Sequence, residues 1–222
     1  MQTDLNIKLY QEINKANEPR VYKSWHASNL AQCPRAQYMM RVGIEPTIKP
    51  TASKVLRWEV GHKVEEAIRP YLENLYPNLG SNHRIKSMNL DFTGEYDNYN
   101  HDTKELIEIK SVHPFALKHL EKEGEPHPHY QLQQHGYVLL LRGEVEAINY
   151  VYVGLDGYII TFRTEVKDDY IENVKTRLDI LNKAWKNKVP PECICNQKDH
   201  PFYKSVMQYC QYKDGKVCCN IK

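Results

Sequence analysis

Long apolar runs are missing from this 222-residue chain. The longest, Tyr137 to Leu141, falls far short of the roughly 20 residues that cross a bilayer, so no membrane span is expected. Internal repeats and low-complexity tracts are also missing, which argues against solenoids and disordered linkers. Neither sign of charge dominates: 30 Lys and Arg face 28 Asp and Glu, for a net charge of +2. Contact with nucleic acid would then need a local basic surface, for which Arg35, Lys54, Arg57, Lys63, Lys118 and Lys122 are candidates. The start, Met1-Gln2-Thr3-Asp4, lacks the basic-then-apolar run of a signal peptide, and a cytoplasmic protein is expected. Cysteine is absent between Cys33 and Cys193, then crowds the tail at Cys193, Cys195, Cys210, Cys218 and Cys219. A chain long enough to bury its own core needs no disulfide framework, so this placement points to thiolate ligands for a metal.

The segment Gly94-Glu95-Tyr96-Asp97, followed by Glu108-Ile109-Lys110, carries the chemistry. Residues two apart on a strand share a face, so Glu108 and Lys110 point one way while Ile107 and Ile109 enter the opposite layer. A hairpin through His101-Asp102-Thr103 sets Asp97 across from them. Two carboxylates on adjacent strands can hold Mg²⁺ or Mn²⁺, which take oxygen ligands. A lysine beside them can offset charge growing on an attacked phosphate. Glu-x-Lys triplets also decorate exposed strands, where cross-strand ion pairs are ordinary.

The remaining pattern predicts an α/β fold, a mixed sheet with helices on both faces. A helix is expected over 1–17, a second capped by Ser28, and a third capped by Ser53 and running to about Leu75, with an apolar stripe of Val60, Val64, Ala67 and Ile68. Strands are expected near 83–91, 92–99 and 104–112. A lid-like polar loop follows from Pro114 to His129; His113, His119, His127 and His129 invite a zinc reading, but their irregular spacing favours a polar loop. A helix over 130–141 precedes a hairpin, 146–155 and 158–166, turning at Asp156-Gly157. Asp168 is expected to cap a helix to Lys188, ended by Pro190-Pro191. Of the aromatic residues, Trp25, Trp58, Tyr96, Tyr99 and Tyr130 are candidates for stacking on unpaired bases, most of them being core.

With Ser28, Leu30, Cys33 and Arg35, then Gly61 and Glu65, Gly94 and Asp97, Glu108 and Lys110, and Gln133 and Tyr137 in this order, the chain resembles the PD-(D/E)xK nucleases. Specifically, it resembles the RecB-like iron-sulfur branch, which includes CRISPR-adaptation nucleases and phage exonucleases. The resemblance covers residues 25 to 219. It implies a restriction-endonuclease-like core over about 53–166 within a single nuclease domain, 1–222. N-terminal helices (1–52) and the C-terminal part (168–222) would be joined through a cysteine cluster. It also implies that Asp97, Glu108 and the Ile109 carbonyl bind the metal, with Lys110 catalytic. Glu65 would be a further ligand, with His62 and Glu66 as rivals, and Gln133 and Tyr137 would hold the site and the DNA.

For the cysteines, the resemblance implies a [4Fe-4S] cap with zinc as the alternative: Cys33, one of Cys193 and Cys195, Cys210, and one of Cys218 and Cys219. Met207 stands where relatives place a cysteine. The function so implied is a Mg²⁺- or Mn²⁺-dependent exonuclease acting on single-stranded or frayed DNA, in phage recombination, DNA processing or CRISPR-type adaptation. A further alternative that the resemblance implies is a subunit that trims DNA only in complex with a protein partner. The alternatives are an iron-sulfur DNA-binding module without nuclease activity and a zinc-stabilised structural protein.

Overall fold

The structure is a computed structural model that describes residues 4–15, 22–195, 197–200, 203, 206 and 210–212. Its helices are α1 (Asp4–Lys15), α2 (Pro34–Arg41), α3 (Ala52–Leu75), α4 (Pro114–Glu123), α5 (Pro128–Leu140) and α6 (Asp168–Asn187). Its strands are β1 (Trp25–His26), β2 (Leu79–Ser87), β3 (Phe92–Asn100), β4 (Glu105–Val112), β5 (Ala147–Gly154) and β6 (Ile159–Glu165). They form one mixed sheet. The β4–β5 pair is parallel, which requires the crossover that α4 and α5 supply. The β2–β3, β3–β4 and β5–β6 pairs are antiparallel.

The pairing of β3 is what opens a site. Along one edge it pairs with β2 for most of its length. Along the other it meets β4 only at Asn98–Asn100 and the short parallel β1 only at Phe92 and Thr93. Residues 94–97 lie between these two partners, so the sheet splays where Asp97 stands.

Both faces of the sheet are covered. On one, Ile107, Ile109, Val151 and Val153 pack under Val64, Ile68 and Leu72 of α3, spaced four apart along one helical face. Val60 and Ala67, expected on that stripe, are exposed. On the other face α5 is buried through Leu132, Gly136, Tyr137 and Val138, with α6 outside it contributing Val174, Leu178 and Leu181. Gly136 permits this depth, since a Cβ there would stand 2.7 Å from the Leu30 side chain and 3.1 Å from that of Phe92.

Segments 25–44 and 185–212, far apart in the chain, meet on this second face among the described residues. The Arg41 guanidinium lies between the rings of Trp25 and Trp185, 4.3 and 4.0 Å from their centroids, and donates to Asp91 at 2.5 Å. Arg35 donates to the Pro191 carbonyl, and Tyr212 donates to the Ile44 carbonyl.

Several expectations are corrected. Ser28 lies in a 3₁₀ turn, Ala27–Asn29, and α2 instead starts after Cys33 with Pro34 at its first position, where a missing N–H costs nothing. Thr51, not Ser53, caps α3; its hydroxyl accepts from the Lys54 N–H. The helix continues through Pro70, an exposed position. The strand expected over 83–91 ends at Ser87, and 88–91 turn. Most of the polar lid is α4, anchored in the core by Leu117 and Leu120; this apolar pair three apart is what a histidine- and lysine-rich composition concealed. Lys167 precedes α6, while Asp168 and Asp169 lie in its first turn, where they complement the helix dipole. Arg35 is part-buried and spent on Pro191. Trp25, Tyr96 and Tyr99 are buried and cannot offer a face to a base.

Candidate active site

At the splay of β3 from β4, backbone geometry brings three oxygen donors to one ammonium. Asp97 accepts a hydrogen bond from the Ile109 N–H at 2.9 Å, so the strands stay tied just beyond their last ladder pair. Lys110 forms an ion pair with Glu108, lies 3.8 Å from Asp97 Oδ2 and donates to the Ile109 carbonyl at 3.2 Å. Its Nζ thus sits as a positive charge among Asp97, Glu108 and the Ile109 carbonyl.

Glu108 is only 1% exposed, and α5 holds it in place. Gln134 donates to one carboxylate oxygen at 2.5 Å and Gln133 to the other at 3.2 Å. Gln133 also donates to the Tyr137 hydroxyl at 3.0 Å. Burial and then the charge of Asp97 push Glu108 up to about 8, against the pull of Lys110. Burial works against the Lys110 ammonium, but Glu108 and Asp97 outweigh it and hold the lysine well above its ordinary value. Burial, with Glu108 and Asp97 beside it, keeps Tyr137 a neutral phenol.

Glu65 faces this group from α3. Burial first and Asp97 second raise its carboxyl, while Arg69 and Lys110 draw it down; the Arg69 guanidinium contacts it at 2.5 Å. Of its rivals, His62 is exposed, and Glu66 is exposed and paired with Lys63. Gly61, one turn before Glu65, faces Ser111 of β4, bringing this part of α3 onto the strand that carries Lys110.

The site therefore gathers Glu65, Asp97, Glu108, Ile109, Lys110, Gln133 and Tyr137 around one cleft. All-oxygen donors around a cation suit a hard divalent ion. Two residues were not singled out for the site from sequence. Gln134 follows Gln133 on α5, and adjacent helical residues can both reach a carboxylate beneath the helix. Arg69 carried a signal in its i, i+4 spacing from Glu65.

The cysteines form a second group. The sulfurs of Cys33, Cys193 and Cys195 all lie within 4.8 Å of one another, joining the start of α2 to the segment after α6. Cys193 and Cys195 both take part, where one was expected. Cys193 is disulfide-bonded, so as a thiolate ligand it would first have to be reduced. Cys210 is buried but outside the trio, and Cys218 and Cys219 lie outside the described residues. Arg177 and His200 lie within electrostatic reach of Cys33. Among the described residues, no helix is long and apolar enough to cross a membrane.

No family model matches the chain, and no curated protein matches it. Solved structures do. The protein SSO0001 is 16% identical, with 95% of each chain covered and a TM-score of 0.58. The alkaline exonuclease LHK-Exo from Laribacter hongkongensis is 17% identical over 80% of this chain and 93% of that one, with a TM-score of 0.58. Its complex with dAMP gives 16%, 82%, 93% and 0.60 in the same order. A phage-related exonuclease from Haemophilus somnus 129PT is 16% identical over 79% of this chain and 97% of that one, with a TM-score of 0.52. At these identities the likeness is one of fold: the chain shares the α/β architecture of alkaline and phage-related exonucleases, a mixed sheet flanked by helices.

Proposed function

We propose that this protein is a metal-dependent DNA exonuclease that hydrolyses phosphodiesters at single-stranded or frayed ends. The observation that carries the reading is the Lys110 ammonium held among Asp97, Glu108 and the Ile109 carbonyl. A Mg²⁺ or Mn²⁺ held by those oxygens, with Glu65 as a further ligand, would supply Lewis acidity toward the phosphate and lower the pKa of a water.

The protein's own groups do the positioning. Gln133 and Gln134 fix both oxygens of Glu108, and Tyr137 fixes Gln133, so the buried carboxylate keeps one orientation. Arg69 does the same for Glu65. Lys110 carries three donors; turned from the carboxylates to the substrate, it orients the attacking water and offsets charge growing on the phosphate. Burial of Glu108 lowers the local dielectric and strengthens each of these interactions.

Cys33, Cys193 and Cys195 belong to the same reading as ligands of a [4Fe-4S] cluster or of zinc, with the fourth position left to Cys210, Cys218 or Cys219. Bound there, the metal would clamp the two ends of the chain. The setting in phage recombination, DNA processing or CRISPR-type adaptation, with a protein partner, rests on motif resemblance alone, and the cytoplasmic location on the character of the N-terminal sequence.

The test is cleavage of end-labelled linear single-stranded DNA by anaerobically purified protein with Mn²⁺ or Mg²⁺. The comparisons are a closed circular strand and the Lys110→Ala variant. Shortening of the linear strand alone, abolished in the variant, is expected. Cutting of the circle would make the enzyme an endonuclease. DNA binding without cleavage would favour a binding module or a subunit that needs its partner.

A further inference from the structure

Beside the cleft, the start of α5 carries rings that the proposed chemistry does not use. His129 lies against Tyr130, centroids 4.0 Å apart, and His127 stacks on His129 at 5.4 Å with planes only 17° apart. Tyr152 of β5 lies 6.3 Å from both His127 and Tyr130. These rings differ in depth. Tyr152 is wholly buried and its hydroxyl accepts from the His127 N–H, whereas His127, His129 and Tyr130 are half-buried. Tyr152 is therefore a floor, and the other three rings stand above it toward solvent.

Position joins this group to the chemistry. Lys110 Nζ lies 5.4 Å from the centre of the Tyr130 ring, a separation comparable with that between a phosphate and the base of its own nucleotide. A phosphate held by Lys110 would bring a neighbouring base over these rings.

We propose that Tyr130 and His129, backed by His127, form the platform on which an unpaired base beside the scissile phosphate stacks. The substrate is thereby specified as a strand end whose bases are unpaired, with no preference among the four. This rests on the exonuclease reading above. Stacking selects in this way because every base presents a face to an aromatic ring, whereas within a duplex both faces of a base are already covered by its stacked neighbours. Burial keeps His127 and His129 below their ordinary values, His129 at about 4, so both are neutral rings at neutral pH. Charge repulsion with Lys110 is then absent. Tyr130 acts as a positioning and specificity residue; it does not touch the reacting atoms.

The experiment measures binding of short single strands to the full chain in Ca²⁺, and cleavage in Mn²⁺. One set of strands carries 2-aminopurine near either end, and another carries an abasic residue at the same positions. Wild type, Tyr130→Phe, Tyr130→Leu and His129→Ala are compared after thermal melts establish that each is folded. Wild type should quench 2-aminopurine at one end. Tyr130→Leu should lose the quenching and about tenfold in affinity, the scale of one base–aromatic stack, while Tyr130→Phe keeps both. On the abasic strand, Tyr130→Leu and wild type should bind alike.

An equal loss on intact and abasic strands, or no loss on either, overturns the platform. A misfolded Tyr130→Leu leaves His129→Ala and the wild-type 2-aminopurine signal to decide the matter, and absent quenching in the wild type overturns the platform by itself. Cleavage in Mn²⁺ with no effect of the rings removes the platform and leaves the nuclease. Stacking without cleavage in any metal removes the nuclease and leaves the rings as a single-strand binding surface.

Discussion

The ring of Tyr137 occupies the space that a side chain on Gly94 would need: a Cβ at Gly94 would stand 2.5 Å from Tyr137 Cε1. The bare backbone of β3 lets α5 approach, and the hydroxyl of that ring then meets Gln133, which reaches Glu108. Packing and chemistry share one contact.

Gly94→Ala should therefore displace Tyr137, destabilise the fold by about 1–3 kcal/mol as overpacked cores do, and lower any nuclease activity with it. Gly61→Ala is the contrast, since its Cβ would meet Ser111 Oγ at an ordinary 3.5 Å. It should leave activity intact and stabilise α3 by about 0.5–1 kcal/mol, the advantage of alanine over glycine in a helix. Chemical denaturation and DNA cleavage of both variants check the pair.

Lys110→Ala should cost more at high pH than at low pH in metal-free protein. Glu108 already has a folded value of about 8 against 4.5, and a carboxylate raised in this way contributes stability below its unfolded pKa that is lost as pH rises through the folded one. Removing the lysine raises it further and leaves a buried charge unpaired, a loss of about 3–5 kcal/mol when no proton is taken up. Urea unfolding in EDTA at pH 6 and pH 9 measures the difference; equal losses at both would sink the argument.

His135 gives the opposite sign on the acid side. It is fully buried, its Nε2 accepts from the Lys167 N–H at 2.9 Å, and its Nδ1 meets the Gln131 carbonyl at 2.6 Å. These contacts require the neutral ring with the proton on Nδ1. Burial lowers its pKa below 6.5, so its contribution is present above 6.5 and lost as pH falls through the lowered folded value. His135→Gln should be less stable than wild type at pH 7.5, and should lose less on going to pH 5. Unfolding titrations at the two pH values decide it.

Cys33→Ala should release whatever metal the thiols hold and lower the melting temperature, without moving the carboxylates of the cleft. Metal analysis and visible absorption of anaerobic protein test this: iron with absorption near 400 nm supports a cluster, and zinc without colour supports a mononuclear site. Full metal content and unchanged melting in the variant would remove the clamp.

Local pattern was enough to read the alternation of Glu108 and Lys110 against Ile107 and Ile109, the hairpin at Asp156-Gly157, the long helix ending at Leu75 and the break after α6. Each depends on neighbours within a few residues, where backbone period and turn chemistry act alone. Tertiary structure decided the rest. That Glu65 lies within electrostatic reach of Asp97 and Lys110 depends on which side of α3 settles on β4. That Gln134 reaches Glu108, and that Cys33 meets Cys193 and Cys195, depends on contacts between segments far apart in the chain. Such contacts follow from how buried surfaces fit together, and a residue's immediate neighbours carry no record of that fit.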